Sequence, residues 1–144
     1  MGLNSALNIS VSGVIAERDH MELISSNIAN INTTRTLAGG AYKKKIAVYS
    51  EKPLSFEEEL MRAEQKKAKG GGVQIADVVD DRSPFHKVYN PSHPDADAQG
   101  FVNMPNVDLS TEMVDMVYSS KLYEANITAY NATKKMMTDT LAIQ

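Results

Sequence analysis

The last third of the sequence carries an apolar repeat with alternating steps of four and three residues, and this repeat limits most strongly what the chain can fold into. The repeat runs from Leu109 to Leu141 without a slip. Its members are Leu109, Met113, Met116, Ser120, Tyr123, Ile127, Tyr130, Lys134, Met137 and Leu141. This spacing predicts one amphipathic helix about 50 Å long. The core of a 144-residue chain cannot cover both ends of such a helix, so the repeat implies partner helices.

A weaker repeat of the same kind begins the chain. Its members are Leu3, Leu7, Val11, Val14, Arg18, Met21, Ile24 and Ile28. Gly13 weakens the middle of this predicted helix, and Arg18 interrupts its apolar row. We expect the helix to end in the Asn-rich segment 30–34, where short polar side chains can bond their own backbone.

The segment between the two helices has the alternation and the turn residues of short strands. A charged stretch, 56–69, interrupts this pattern, and Ser55 with Glu58 forms a capping box at its start. Prolines and Gly100 predict irregular structure over 90–105. The pattern therefore predicts strands at 42–50, 73–79 and 85–89, and one charged helix at 56–69 that Gly70, Gly71 and Gly72 end.

These elements predict an α+β fold, in which long N- and C-terminal helices pair as a coiled coil and leave a small β-rich central excursion between them. The predicted divisions of this single structural unit are 1–34 for the N-terminal helix and Asn-rich turn, 35–107 for the central β-rich region with loops, and 108–144 for the C-terminal helix. Polar Arg18, Ser120 and Lys134 within the apolar rows favour a pair whose register and partners are specified by other subunits.

Composition excludes several classes of function. The net charge is −3, from 15 Lys and Arg against 18 Asp and Glu, so the chain has no basic excess for nucleic acid. No window approaches the roughly 20 apolar residues of a membrane span. The sequence has no Cys, which removes disulfides and thiolate sites. The first twenty residues lack the apolar block of a cleaved signal peptide, so we expect export, if any, to use another route.

One cluster of residues could suggest metal binding or acid–base chemistry. It consists of His86, His93, Asp95 and Asp97, with Asp80 and Asp81 nearby. Its spacing fits no named metal motif, and short acids beside prolines are typical of Asx turns. We therefore predict no catalytic residue, no metal, no cofactor and no small-molecule substrate. A small metal-dependent hydrolase is kept only as the remote alternative.

Two blocks of sequence resemble the axial proteins of the bacterial flagellum, and most closely those of the proximal rod. The first block is Ser-Asn-Ile-Ala-Asn-Ile-Asn-Thr at 26–33, and the second runs from Val88 to Leu141. The second block includes Pro-Ser-His-Pro-Asp-Ala-Asp at 91–97 and Tyr-Glu-Ala-Asn at 123–126. The stretch without proline between Thr33 and Gly40 is similar to the proximal-rod type.

The resemblance implies a structural subunit that assembles through its terminal helices into the helical tube transmitting motor torque across the periplasm. It implies contacts with copies of itself and with other rod proteins, and export through the flagellar type III apparatus without cleavage. Another rod or hook protein is the alternative. The implied assembly residues are Leu7, Val11, Val14, Met21, Ile28, Asn27, Asn30, Leu109, Met113, Met116, Tyr123, Asn126, Ile127, Tyr130, Met137 and Leu141. The implied structural loop contains Pro91, His93, Pro94, Asp95 and Asp97.

Overall fold

A computed structural model of the protein describes residues 3–53 and 71–142. The element order is α1 (Leu3–Ala29), β1 (Lys45–Glu51), β2 (Val73–Asp80), β3 (His86–Tyr89), β4 (Phe101–Met104) and α2 (Leu109–Ala142). Two long terminal helices enclose a small β-rich centre, which confirms the α+β fold expected from sequence. The charged helix and capping box predicted at 55–69 lie outside the described residues.

The two helices pack against each other in antiparallel orientation. Gly13 in the middle of α1 contacts Asn126 in the middle of α2, and the end of α1 contacts the start of α2. Asp108 caps α2, because its carboxylate accepts hydrogen bonds from the Thr111 backbone N–H at 3.1 Å and from the Thr111 hydroxyl. These bonds, the hydroxyl bond first, hold the pKa of Asp108 below its ordinary value.

The central region contains two separate antiparallel hairpins, β1–β2 and β3–β4. In the first hairpin Lys45 pairs with Asp80 and Glu51 with Val73, and the register shifts between Val48 and Tyr49. The first hairpin lies against α1, where the Ser12 hydroxyl accepts a bond from the Val73 backbone N–H at 3.0 Å. The sheet is therefore fastened to the helix pair at the start of β2.

The second hairpin corrects the expectation that residues 90–105 are irregular throughout, because β4 forms within them and pairs Phe101 with Tyr89. The Asp97 carboxylate accepts bonds from the backbone N–H groups of Gln99 and Phe101, both at 2.9 Å, and so forms the turn that leads into β4. Gly100 adopts a φ of 83° there. The turn signals that predict a loop thus also position a short strand.

The strand expected at 42–50 begins later, at Lys45. The backbone N–H groups before it have other partners, since that of Tyr42 donates to the Thr33 carbonyl and that of Lys44 donates to the Asn106 side chain. Among residues 3–53 and 71–142, no helix has the combined length and hydropathy that a membrane crossing requires.

Candidate assembly surface

Three contacts at seven-residue intervals align α1 with α2. Gly13 faces Asn126, whose side-chain atoms would lie 2.9 Å from a Cβ at position 13. The next contact joins the His20 Nδ1 to the Ser119 hydroxyl at 2.9 Å. The third joins the Asn27 Nδ2 to a carboxylate oxygen of Glu112 at 3.1 Å. This heptad spacing on both helices is that of a coiled-coil seam.

The seam is polar where the sequence predicts apolar rows. Asn27 and Glu112 are each 1% exposed and Ser119 is fully buried, whereas Met113, a member of the predicted row, is 57% exposed. The expectation that the apolar rows form the buried contact between the two helices is therefore wrong for the first turns of α2. Polar side chains can be buried there because each finds a partner across the seam.

Several apolar side chains of α2 lie outside the seam and are exposed to solvent. On α2, Met113, Val114, Val117 and Tyr118 are between 57% and 68% exposed and lie on neighbouring turns. We call these four residues the outer patch. Val114, Val117 and Tyr118 are absent from the residues implied by resemblance, although their own spacing of three and four residues is visible in the sequence. An apolar patch of this kind is typical of an interaction surface.

The outward side of α1 also carries apolar residues. Val11 is 41% exposed and Ile15 is 46% exposed. Arg18 follows them and contacts Asp19 at 2.8 Å and Glu22 at 3.9 Å. The hydrogen bond and charge of Asp19 raise the pKa of the Arg18 guanidinium. Both helices thus carry exposed apolar side chains, while the buried residues of the pair include apolar Ala16 and Ile24 as well as polar Asn27, Glu112 and Ser119.

The end of α1, the start of β1 and the start of α2 meet at one buried joint, made of Asn27, Lys45, Tyr42, Glu112 and Lys44. The Asn27 Oδ1 accepts from the Lys45 backbone N–H at 2.9 Å and from the Tyr42 hydroxyl at 3.0 Å. Its Nδ2 donates to the Lys45 carbonyl at 3.0 Å and to Glu112. The Lys44 ammonium pairs with the second Glu112 oxygen. Both polar atoms of the Asn27 amide therefore have hydrogen-bond partners, whereas the second Glu112 oxygen has the charge contact with Lys44 and no hydrogen bond to the described residues.

A second cluster lies one heptad away. His20 stacks edge-on against Tyr49 of β1, with ring centroids 5.8 Å apart. Burial, and after it the nearby charge of Glu17, raises the pKa of Tyr49 to about 12. Ser119 and Glu17 approach the same His20 nitrogen, at 2.9 Å and 3.9 Å. Since a catalytic relay needs its acid and its nucleophile on opposite ring nitrogens, this cluster packs elements together and has no relay geometry.

The titratable side chains of the Pro-rich loop between β3 and β4 bind within the loop's own turns or, for Asp95, to the turn after α1. The His93 Nδ1 accepts from the Asp95 backbone N–H at 3.1 Å, and the Thr34 hydroxyl donates to the Asp95 carboxylate at 2.8 Å. The bond from Phe101, followed by that from Gln99, holds the pKa of Asp97 below its ordinary value. Pro91 packs near the position of a Cβ on Gly100, and Pro94 is exposed.

Asp80 and Asp81, the neighbouring acids of the candidate metal cluster, also bind other side chains or backbone groups. Lys45 pairs with Asp80, and Ser83 donates two bonds to Asp81. The Lys45 bond lowers the pKa of Asp80, and the Ser83 bonds lower that of Asp81. Within the described parts of the chain, 3–53 and 71–142, no three acidic or His side chains converge on a possible metal position.

The structure places the residues implied by resemblance in three environments. Asn27 is buried. Val11, Leu109, Met113 and Leu141 are exposed. The half-buried residues are Leu7, Val14, Met21, Ile28, Asn30, Met116, Tyr123, Asn126, Ile127, Tyr130 and Met137.

Comparison with protein families matches both ends of this architecture. Residues 7–35, which span most of α1 and the Asn-rich turn, match the model described as flagella basal body rod protein. Residues 98–143, which contain β4 and α2, match the model described as flagellar basal body rod FlgEFG protein C-terminal. The class of protein that these matches define is the flagellar basal-body rod protein.

Curated relatives extend the similarity over the whole chain. The flagellar basal-body rod protein FlgC of Borreliella burgdorferi is 38% identical over 149 aligned residues, covering 99% of this chain and 98% of that protein. FlgC of Bacillus subtilis is 41% identical, covering 96% and 95%, and FlgC of Salmonella typhimurium is 34% identical, covering 99% and 98%. The chain belongs to the FlgC family of flagellar basal-body rod proteins.

Proposed function

We propose that this chain is a structural subunit of the proximal part of the flagellar rod. The observation that carries the proposal is the similarity to FlgC proteins over nearly the full length of the chain, including both terminal helices. The described residues support a structural role as well, because their buried polar side chains bind one another and the loop carboxylates bind their own turns. The subunit acts by assembling, and no residue needs to turn over a substrate.

The proposed assembly contacts lie on the outer sides of the helix pair. The outer patch on α2, together with Val11 and Ile15 on α1, leaves apolar area exposed that neighbouring subunits can bury. The exposed apolar residues of α1 differ from those of α2. The α2 patch of one subunit can therefore contact the α1 residues of the next subunit instead of a second α2 patch. Contacts between unlike patches that do not close into a ring generate a helical tube, and this is the geometry that a rod requires.

The proposed partners are copies of this chain and other rod proteins. The half-buried residues of the set implied by resemblance, such as Ile127 and Tyr130, lie at the border between the seam and the outer surface, where a neighbouring helix can complete their burial. Torsional stiffness then arises from many parallel helix contacts. The mechanism is the transmission of motor torque by a packed tube, with no chemical step.

The proposed location is the periplasmic rod of the basal body, reached by the flagellar type III export apparatus. The support is membership of the FlgC family of basal-body rod proteins. A chain exported unfolded must reach its folded state afterwards, and a helix pair with contacts at fixed intervals provides the register for that step.

A different axial protein of the rod or hook is the second candidate, favoured by the match of residues 98–143 to a model described for FlgEFG proteins. Image reconstruction of purified basal bodies separates the two candidates. We expect density for this chain in the proximal rod, and loss of the rod when the gene is deleted. Density confined to the distal rod or hook, or a complete rod in the deletion strain, contradicts the proposal.

A further inference from the structure

We propose that the Asn27 side chain couples the helix pair to the central β region, so that α1, β1 and the first turns of α2 open together. The inference concerns contacts within one chain and holds whether or not the proposed role in the rod is correct. An asparagine amide has two donor hydrogens and two acceptor lone pairs, and the joint uses all four.

Two of the four bonds give β1 a partner on its outer edge. The Asn27 amide binds both the N–H and the C=O of Lys45, which point to the same side of the strand. On the opposite side, the N–H of Asp81, the residue after β2, donates to the carbonyl of Lys44, the residue before β1, at 2.8 Å. The Asn27 side chain thus occupies the position that a third strand would take at the start of β1.

The other links join this strand to α2. The Asn27 Nδ2 donates to one Glu112 oxygen, and Lys44, the residue before β1, pairs with the other. The Glu112 carboxylate therefore has one partner on α1 and one beside the strand. Undocking of either α1 or β1 from α2 therefore removes a partner from the Glu112 carboxylate, which is 1% exposed.

Burial makes these bonds mutually dependent. A buried polar group left without a partner is costly, and a buried charge more so. If β1 and the adjoining Lys44 opened alone, Asn27 would lose its two bonds to Lys45 and Glu112 would lose its contact with Lys44. If α2 undocked alone, Asn27 and Lys44 would lose their shared acceptor. Each partly open state therefore lacks more than one of the bonds that the closed state contains.

Native-state hydrogen exchange of the full chain tests the coupling, with the amides of β1 and of residues 112–116 as reporters. In the unsubstituted chain we expect both groups to exchange through the same opening, with matching protection factors and matching dependence on denaturant. In Asn27→Ala the two groups should separate, with protection factors that differ at least about tenfold. Unmatched protection in the unsubstituted chain contradicts the coupling. An equal loss at every amide in Asn27→Ala also contradicts it, because that result indicates only a structural role.

A second variant assigns the direction of the coupling. Glu112→Ala removes the link to α2 and leaves the Asn27 clamp on Lys45, so residues 112–116 should lose protection while the Lys45 amide keeps more of it. Asn32→Ala is the matched control, since this exposed Asn lies in the turn after α1, and we expect it to change neither group. If Asn27→Ala does not fold, Glu112→Ala decides the question, and equal losses in β1 and α2 in that variant contradict the proposal.

Discussion

Close contacts between the backbone and a side chain position some residues of this protein, as at Gly72 and Ser12. Gly72 adopts a φ of 96°, and a Cβ there would lie 2.3 Å from the Ser12 hydroxyl oxygen. That hydroxyl also accepts the bond from Val73 that fastens β2 to α1. From the sequence, the three consecutive glycines predict only the end of the charged helix. Which glycine meets a helix depends on tertiary contacts between residues about 60 positions apart, and no local pattern records them.

We expect Gly72→Ala to lower the free energy of unfolding more than Gly40→Ala does. Both positions have positive φ, so both substitutions carry a backbone penalty of about 1–2 kcal/mol. Only position 72 adds a clash, since a Cβ at position 40 has no atom within 4 Å, and overpacking costs about 1–3 kcal/mol. Urea denaturation of the two variants measures the difference. Equal losses in the two variants contradict the close approach of Ser12 to Gly72.

The turn at Asp97 gives a prediction about pH. Its bonds from Phe101 and Gln99 lower its pKa in the folded protein, whereas the unfolded chain keeps an ordinary value of about 3.9. The stability that the ionised group contributes is therefore complete above pH 3.9 and is lost as the pH falls through the lower, folded value. Asp97→Asn should be less stable than the parent at pH 7, and the gap should narrow below about pH 4. A gap that is constant from pH 7 to pH 3 contradicts this assignment.

At the scale of elements, the helices follow from periodicity and the seam does not. The repeat at 109–141 correctly predicts α2, because an uninterrupted spacing of three and four residues has no competing interpretation at that length. Hydrophobicity alone selects the wrong residues for the start of the seam, since Glu112 and Ser119 are buried there through bonds to α1. The strand β4 escapes prediction because it has four residues between turn signals.

A double-mutant cycle at Gly13 and Asn126 tests the seam. In the parent, Gly13→Ala places a Cβ 2.9 Å from side-chain atoms of Asn126, so we expect a loss of stability. In an Asn126→Ala background the obstruction is absent, and the higher helix propensity of Ala should make the same substitution stabilising by about 0.5–1 kcal/mol. Unfolding free energies of the four proteins give the coupling. Additive effects contradict the contact between Gly13 and Asn126.

At the scale of the whole molecule, a helix pair that leaves apolar side chains exposed on both helices is suited to assembly. The four residues of the outer patch are more than half exposed, and α1 adds Val11 and Ile15 on its outer side. A monomer gains nothing from this arrangement, because the exposed apolar area is not removed from water. A tube of many copies gains at every contact. The sequence predicts the need for partners from the length of α2, but only the folded pair shows which side chains remain for them.

A strain carrying only Val117→Asp tests whether the outer patch is an assembly surface. Val117 is 62% exposed, so the substitution should leave the fold of the single chain intact, while a carboxylate placed in each subunit contact should prevent incorporation. Ala76→Asp, at an exposed position of β2, is the matched control. The measurement is rod completion in isolated basal bodies, with circular dichroism of the purified variant and detection of the exported chain alongside. We expect a folded, exported chain with no complete rods for Val117→Asp and complete rods for Ala76→Asp. Complete rods and normal motility with Val117→Asp would show that the outer patch is not an assembly surface.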